Sequence, residues 1–334
     1  MREPAAWWDE GRPASRLLAP LAALYDLVAT RRLTLGGARA PVPVVCVGNP
    51  TVGGAGKTPT AIAIARMLQA AGRKPAFLSR GYGGGERGPV VVSSAHDAAA
   101  VGDEPLLLAR VAPTVVARDR VAGARAAAAA GADVGVMDDG FQNPALAKDF
   151  SLLVVDGSRG LGNGRVVPAG PLRAGLDAQM ARAQALVVVG ECSRRAAPAV
   201  AAARAREMPV WQARLVPDPA AAAALSGQRV LAFAGIGDPA RFFAMLEGLG
   251  LALADRASFP DHHRFAATEA ADLLARAARA NAVPVTTEKD HVRLAGAPAA
   301  AELARRARPL PVTIVFDQEV AVRERLLAAI GEPA

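Results

Sequence analysis

Residues 44–60 read VVCVGNPTVGGAGKTPT. The apolar run Val44 to Val47 leads into Gly53, Gly54, Gly56, Lys57 and Thr58, and an Ala-rich stretch from Pro59 to Ala71 follows. Strand, glycine-rich loop, Lys-Thr and helix, in that order, form the phosphate cradle of P-loop nucleotide enzymes. Glycines let successive backbone N–H groups turn toward phosphate oxygens. The lysine reaches the β- and γ-phosphates, and the hydroxyl after it faces Mg²⁺. Thr51, Val52, Gly53, Gly54, Ala55, Gly56, Lys57 and Thr58 are therefore the expected nucleotide-binding residues. The helix adds the positive end of its dipole. The first glycine of the usual pattern falls on Thr51, with Gly48 earlier.

Outward from this stretch, strands and helices alternate. Strands are expected at 42–48, 75–79, 114–117, 133–137, 151–156 and 185–189. Such alternation predicts an α/β fold with a doubly wound, mostly parallel sheet, whose ligands bind at the carboxyl ends of its strands. Pro217 and Pro219 mark a linker, and a second, smaller α/β unit is expected beyond it. Its strands are predicted at 230–234, 283–286 and 311–315, with a helix near 240–249. The expected division is 1–40, 41–222 and 223–334.

Composition narrows the function. The 334 residues are 52% hydrophobic and only 4% aromatic, as expected for helices packed on a parallel sheet. The net charge is +8, which suits nucleic acid, an anionic membrane or a phosphorylated substrate. The arginines are scattered and few aromatics interleave with them, which argues against nucleic acid. Cys46 and Cys192 are the only cysteines, so neither a disulfide framework nor a metal spacing exists, and a reducing compartment is expected. Leu17, Leu21, Leu24 and Val28 recur at helical spacing, with Trp7 and Trp8 before them and Arg31 and Arg32 after. This pattern fits an amphipathic helix, lying either in a membrane interface or on its own domain.

Asp133 to Asp139 reads DVGVMDD, an apolar strand ending in two carboxylates. It has the form that places a carboxylate near Mg²⁺ opposite a P-loop, so Asp138 and Asp139 join Thr58 as metal-ligand candidates. Asp103, in GDEP (102–105), reads locally as a helix N-cap. His262 and His263 follow Asp261 in the second unit, where a histidine can orient a base or hold a phosphate. Arg80, in SRGYGGG (79–85), and Arg173, in PAGPLR (168–173), are candidate phosphate ligands, because a guanidinium fork matches phosphate oxygens.

Eight segments in order resemble the tetraacyldisaccharide 4′-kinase family of lipid A biosynthesis. They are VGNPTVGGAGKTP (47–59), LSRGYGG (78–84), GDEP (102–105), MDDGFQ (137–142), GNGRVVPAGPLR (162–173), AFAGIGDPARFF (232–243), FPDHH (259–263) and TTEKDHVRL (286–294). The resemblance implies transfer of the ATP γ-phosphate, with Mg²⁺, to the 4′-hydroxyl of a tetraacylated disaccharide 1-phosphate. It implies a peripheral enzyme on the cytoplasmic face of the bacterial inner membrane, with the N-terminal helix touching lipid. It makes Lys57 catalytic, and it makes Asp103 the base with His262 as its partner across the cleft, replacing the local N-cap reading. Two positions depart from the family pattern. Ala174 stands where an acidic residue usually follows PLR, and Asn143 where a histidine usually follows GFQ. The first departure leaves open a competing reading, a non-catalytic or altered-acceptor P-loop protein at a membrane.

Overall fold

The computed structural model describes residues 4–8 and 13–332. Its strands, in chain order, are Val44–Gly48 (β1), Pro75–Ser79 (β2), Val90–Val91 (β3), Thr114–Val116 (β4), Val134–Asp138 (β5), Phe150–Asp156 (β6), Ala185–Val189 (β7), Val210–Pro217 (β8), Arg229–Ala234 (β9), Ala252–Ser258 (β10), Val283–Thr287 (β11), Arg308–Leu310 (β12) and Val312–Phe316 (β13). Nine of them form one sheet in the order β13-β8-β7-β6-β1-β5-β2-β4-β3, and four form a second in the order β10-β9-β11-β12. The large sheet is parallel except at its edges, where β3 pairs antiparallel with β4 and β13 with β8. The small sheet is parallel throughout.

The strand sequences explain this layering. β1, β2, β5, β6 and β7 are buried at every position, as parallel strands covered on both faces must be. Side chains alternate along β1. Val45 and Val47 enter the core on one face, while Val44 and Cys46 enter the core on the other. The helix Lys57–Ala70 covers the first face with Ala61, Ile64, Ala65 and Leu68, an i, i+3, i+4, i+7 stripe. It ends where Gly72 takes a φ of 80° and Arg73 N–H donates to Leu68 O at 2.9 Å, the left-handed stop that favours glycine. Because β1 runs straight into this helix, the P-loop sits at the centre of the sheet, on its carboxyl edge.

In the smaller unit the helices Pro239–Gly248 and Ala267–Arg279 cover opposite faces. Phe242, Phe243 and Leu246 pack with Val230 and Ala232, and Ala270, Leu273 and Ala277 pack with Leu231 and Phe233. One strand is misplaced by the sequence reading. The run expected at 311–315 in the second unit is β13, and it closes the edge of the large sheet against β8. The helix Glu319–Ile330 follows it there, burying Val322, Leu326 and Ile330 in the large unit's core. The chain thus passes between the units twice, and the crossings lie side by side, since Asp218 N–H donates to Pro311 O at 2.8 Å. The strands β3, β8, β10 and β12 have no counterpart in the sequence expectations.

Candidate active site

The P-loop is open for an anion. Gly53 and Gly56 take φ values of 101° and 85°, which L side chains adopt only with strain. The amides of Gly53, Gly54, Ala55 and Gly56 donate to no group among the described residues, whereas Val52 N–H is anchored on Pro171 O at 2.8 Å. Thr51 is likewise tied down, by its bridge to Leu172. Lys57 arches back over the loop. Its Nζ lies 3.3 Å from Gly53 O and 3.6 Å from Asp139 Oδ2. Burial lowers the Lys57 pKa, and Asp139 opposes that shift.

Asp138 ends β5 one strand away from the loop. Thr58 Oγ1 donates to its Oδ2 at 2.8 Å, while its Oδ1 is buried without a partner. Burial, then the charge of Asp139, push the Asp138 pKa up to about 6. An unsatisfied carboxylate oxygen beside a threonine hydroxyl is an all-oxygen donor set, which suits Mg²⁺. Asp139 sits differently. It takes a φ of 52° and turns its carboxylate to Arg173, which grips it with two bonds of 2.7 and 3.0 Å. Burial alone would raise its pKa, but Lys57 and Arg173 hold it well below the usual carboxylate range. Arg173 also donates to Thr51 O at 2.9 Å and Gln142 Oε1 at 3.2 Å. Its fork is therefore committed to the P-loop and Asp139 rather than presented to a substrate. Arg80 is exposed and makes no hydrogen bond or ion pair among the described residues.

Asp103 belongs to the large unit and faces the smaller one. Gly102, not Asp103, is the N-cap of the helix Asp103–Leu108, and the Asp103 side chain caps nothing. It is buried, and Arg293 of the smaller unit donates to its Oδ2 through Nε at 2.8 Å and again through Nη2. His262 Nδ1 stands 3.4 Å from the same oxygen. Burial works against the charge of Asp103. Hydrogen bonds from His262 and Glu104 and the charge of Arg293 outweigh it, and the Asp103 pKa falls far below normal. The reciprocal effect raises the His262 pKa. His262 itself has a φ of 56°, and its ring centroid lies 5.2 Å from that of Tyr82 in the glycine-rich loop of the large unit. Asp103, Glu104 and His262 bring ligand atoms within 4.8 Å of one another. Arg293 and Lys289 supply positive charge there, through Asp103 and Glu104.

Sequence reasoning missed most of the groups that join the two units. Lys289 binds Glu104 at 2.7 Å, Arg293 binds Asp103, and Arg241 binds the buried Asp156 at the end of β6. The signal was present in TTEKDHVRL, because Lys289 and Arg293 are four apart and share a face of the helix Glu288–Ala295. Arg293 also donates to Gly235 O and Asp290 Oδ1, each at 2.7 Å, so it holds three partners while buried. Removing one member of a buried charge pair leaves the other uncompensated. Arg293→Met is expected to lower unfolding free energy by about 3–5 kcal/mol, read from urea melts. An unchanged midpoint would show that Arg293 holds nothing together.

The two departures are also placed. Ala174 is fully buried and offers only its carbonyl, which accepts from Gln179 Nε2 at 2.7 Å. Asp26, in the N-terminal helix Ala19–Leu33, reaches the next residue and accepts from Gly175 N–H at 2.6 Å. Asn143 Oδ1 accepts from Ala145 N–H at 2.8 Å and so builds a local turn.

The fold and these contacts define a P-loop nucleotide enzyme with a second α/β unit closed over its cradle. The sequence profile described as tetraacyldisaccharide-1-P 4′-kinase matches residues 14–331, and the chain belongs to that family. It is 53% identical to the tetraacyldisaccharide 4′-kinase of Nitrobacter winogradskyi, over 99% of this chain and 98% of that one. It is 58% identical to that of Methylobacterium sp. strain 4-46, over 87% and 88% of the two chains. Its fold matches the crystal structure of the LpxK protein of Aquifex aeolicus in complex with ATP. There the TM-score is 0.73 and the identity 26%, over 95% of this chain and 99% of that one.

Proposed function

We propose that this protein transfers the γ-phosphate of ATP, with Mg²⁺, to the 4′-hydroxyl of a tetraacyldisaccharide 1-phosphate, the step that forms lipid IVA. The reading is carried by one observation. In a chain that matches the kinase family along nearly its whole length, Thr58 meets the half-satisfied Asp138 at the mouth of an open P-loop. The presence of these groups weighs against a non-catalytic relative.

In this reading the free amides of residues 53–56 and the Lys57 ammonium hold the β- and γ-phosphates. Thr58 and Asp138 would hold Mg²⁺, which neutralises charge on the phosphate oxygens when bound. Asp139 keeps Lys57 charged and, through Arg173, fixes the loop that lies against the P-loop. The Ala174 position then needs no carboxylate to complete the Lys57–Asp139–Arg173 chain. Asp103 faces the acceptor. Its depressed pKa makes it a weak base, so its main work is to orient the attacking hydroxyl and accept its hydrogen bond. A loose phosphoryl-transfer transition state asks little more. His262 steadies that carboxylate and can take up the proton as the alcohol becomes an ester. The charge pairs between the units hold the cleft closed against water, which would otherwise compete as acceptor.

The N-terminal helices are proposed to rest on the cytoplasmic face of the inner membrane. No described helix is long and apolar enough to cross a membrane. Leu17, Leu21, Leu24, Leu27 and Val28 are nonetheless exposed, at 80, 58, 63, 68 and 54%, with Arg31 and Arg32 exposed beside them. An apolar face edged by arginines suits an anionic bilayer. Leu21→Asp with Leu24→Asp is expected to weaken binding to phosphatidylglycerol vesicles by about tenfold or more, read by sedimentation. Unchanged binding would contradict the proposed contact. The activity itself is tested by mixing Mg²⁺–ATP, labelled in the γ-phosphate, with the acceptor in detergent micelles. Labelled lipid is expected, and its absence with the protein folded would overturn the reading.

A further inference from the structure

Arg120 opens the helix Arg120–Ala129 and is only 3% exposed. A guanidinium carries five N–H donors and stays charged. Among the described residues this one makes a single hydrogen bond, from Nη1 to Ala117 O at 3.5 Å, and no ion pair. Its Nε is buried with no partner at all. The two other buried arginines differ, since Arg73 holds Asp133 and Arg293 holds Asp103. A buried cation without a partner is costly, so its retention calls for an anion that arrives later.

The surroundings say which anion. The helix follows β4, and the sheet sets β4 beside β2 and β2 beside β5. The charges acting on Arg120 include Arg80, just past the end of β2, and Asp139 and Asp138 at the end of β5. It therefore faces the acidic end of the site. Neither carboxylate pairs with it among the described residues: Asp138 accepts from Thr58 through Oδ2 and keeps Oδ1 unpartnered, and Asp139 is gripped by Arg173. Lys148, which feels the charge of Arg120, donates to the carbonyls of Phe141 and Asn143. Arg80 is unpaired and exposed. A second cation thus stands near Arg120, and no carboxylate contacts either arginine.

We propose that Arg120, with Arg80 at the rim, binds a phosphate group beside the end of β5. A guanidinium offers two parallel N–H bonds to such a group. The phosphate is either the one being transferred or the one the acceptor already carries, and this rests on the kinase reading above. Arg120 thereby takes the role that the sequence assigned to Arg173.

The test compares full-length wild type, Arg120→Gln and Arg120→Lys on two ratios. One is the affinity of a non-hydrolysable ATP analogue over that of ADP, by calorimetry. The other is kcat/KM for the acceptor with its anomeric phosphate over that without it. Arg120→Gln is expected to shrink one ratio by roughly 30-fold or more, and Arg120→Lys to recover part of it. A smaller nucleotide ratio identifies the transferred phosphate, and a smaller acceptor ratio identifies the acceptor's own. Both ratios unchanged in folded Arg120→Gln would overturn the proposal, including the case where only the melting temperature falls. Wild type that phosphorylates neither acceptor would instead sink the kinase reading, while the nucleotide ratio would still decide whether Arg120 senses phosphate.

Discussion

Asp103→Ala is expected to reduce turnover by about 10²–10⁴-fold, the span that general-base and positioning groups supply. ATP affinity is expected to stay near wild type, because Asp103 touches no P-loop residue among the described residues and contacts Arg293 and His262 of the other unit instead. The substitution has a second consequence. Arg293 would lose one of its two carboxylates while remaining buried, at a cost of about 3–5 kcal/mol of stability. Asp103→Asn separates the two effects, since an amide oxygen still accepts from Arg293 but is a poorer acceptor for the substrate hydroxyl. Turnover lost in both variants, with stability lost mainly in Asp103→Ala, is the expected pattern. Near-normal turnover in a folded Asp103→Asn would remove Asp103 from the chemistry. Single-turnover rates and denaturant melts read the two quantities.

Lys57→Ala is expected to lower kcat/KM for ATP by about 10²–10³-fold, the usual effect of deleting one preorganised charge donor at a reacting phosphate. The fold should survive. Asp139 loses a contact at 3.6 Å but keeps the bidentate grip of Arg173. Equal losses in kcat and kcat/KM would mean that Lys57 acts in the transition state, and a raised KM with kcat unchanged that it acts in binding. A variant with wild-type kinetics would mean that the lysine is only a strut for Gly53 and Asp139.

The legible parts of this molecule are those coded over short stretches. β1, the glycine loop and the helix after it form one continuous pattern, and β5 announces itself as apolar residues ending in Asp138 and Asp139. The illegible parts depend on distant partners. VTIVF at 312–316 reads as a buried strand whichever sheet it joins, and only its pairing with β8, about a hundred residues earlier, decides the matter. Arg173 and Arg120 look alike in a sequence, yet packing gives one an aspartate and leaves the other without a carboxylate and with its Nε unpartnered. Asp103 was recovered through the family resemblance, because its local context reads as a cap. The structure gives that cap to Gly102, whose φ of 88° turns the chain into the helix.

The most direct measurement is where the phosphate goes. Wild type is incubated with Mg²⁺–ATP and tetraacyldisaccharide 1-phosphate in micelles, and the product is resolved by phosphorus NMR. A new monoester at the 4′-hydroxyl, absent with Lys57→Ala and strongly reduced with Asp103→Asn, is the result that the site geometry predicts. ATP bound by a folded protein but no phosphate on the lipid, or phosphate at a different hydroxyl, would contradict it.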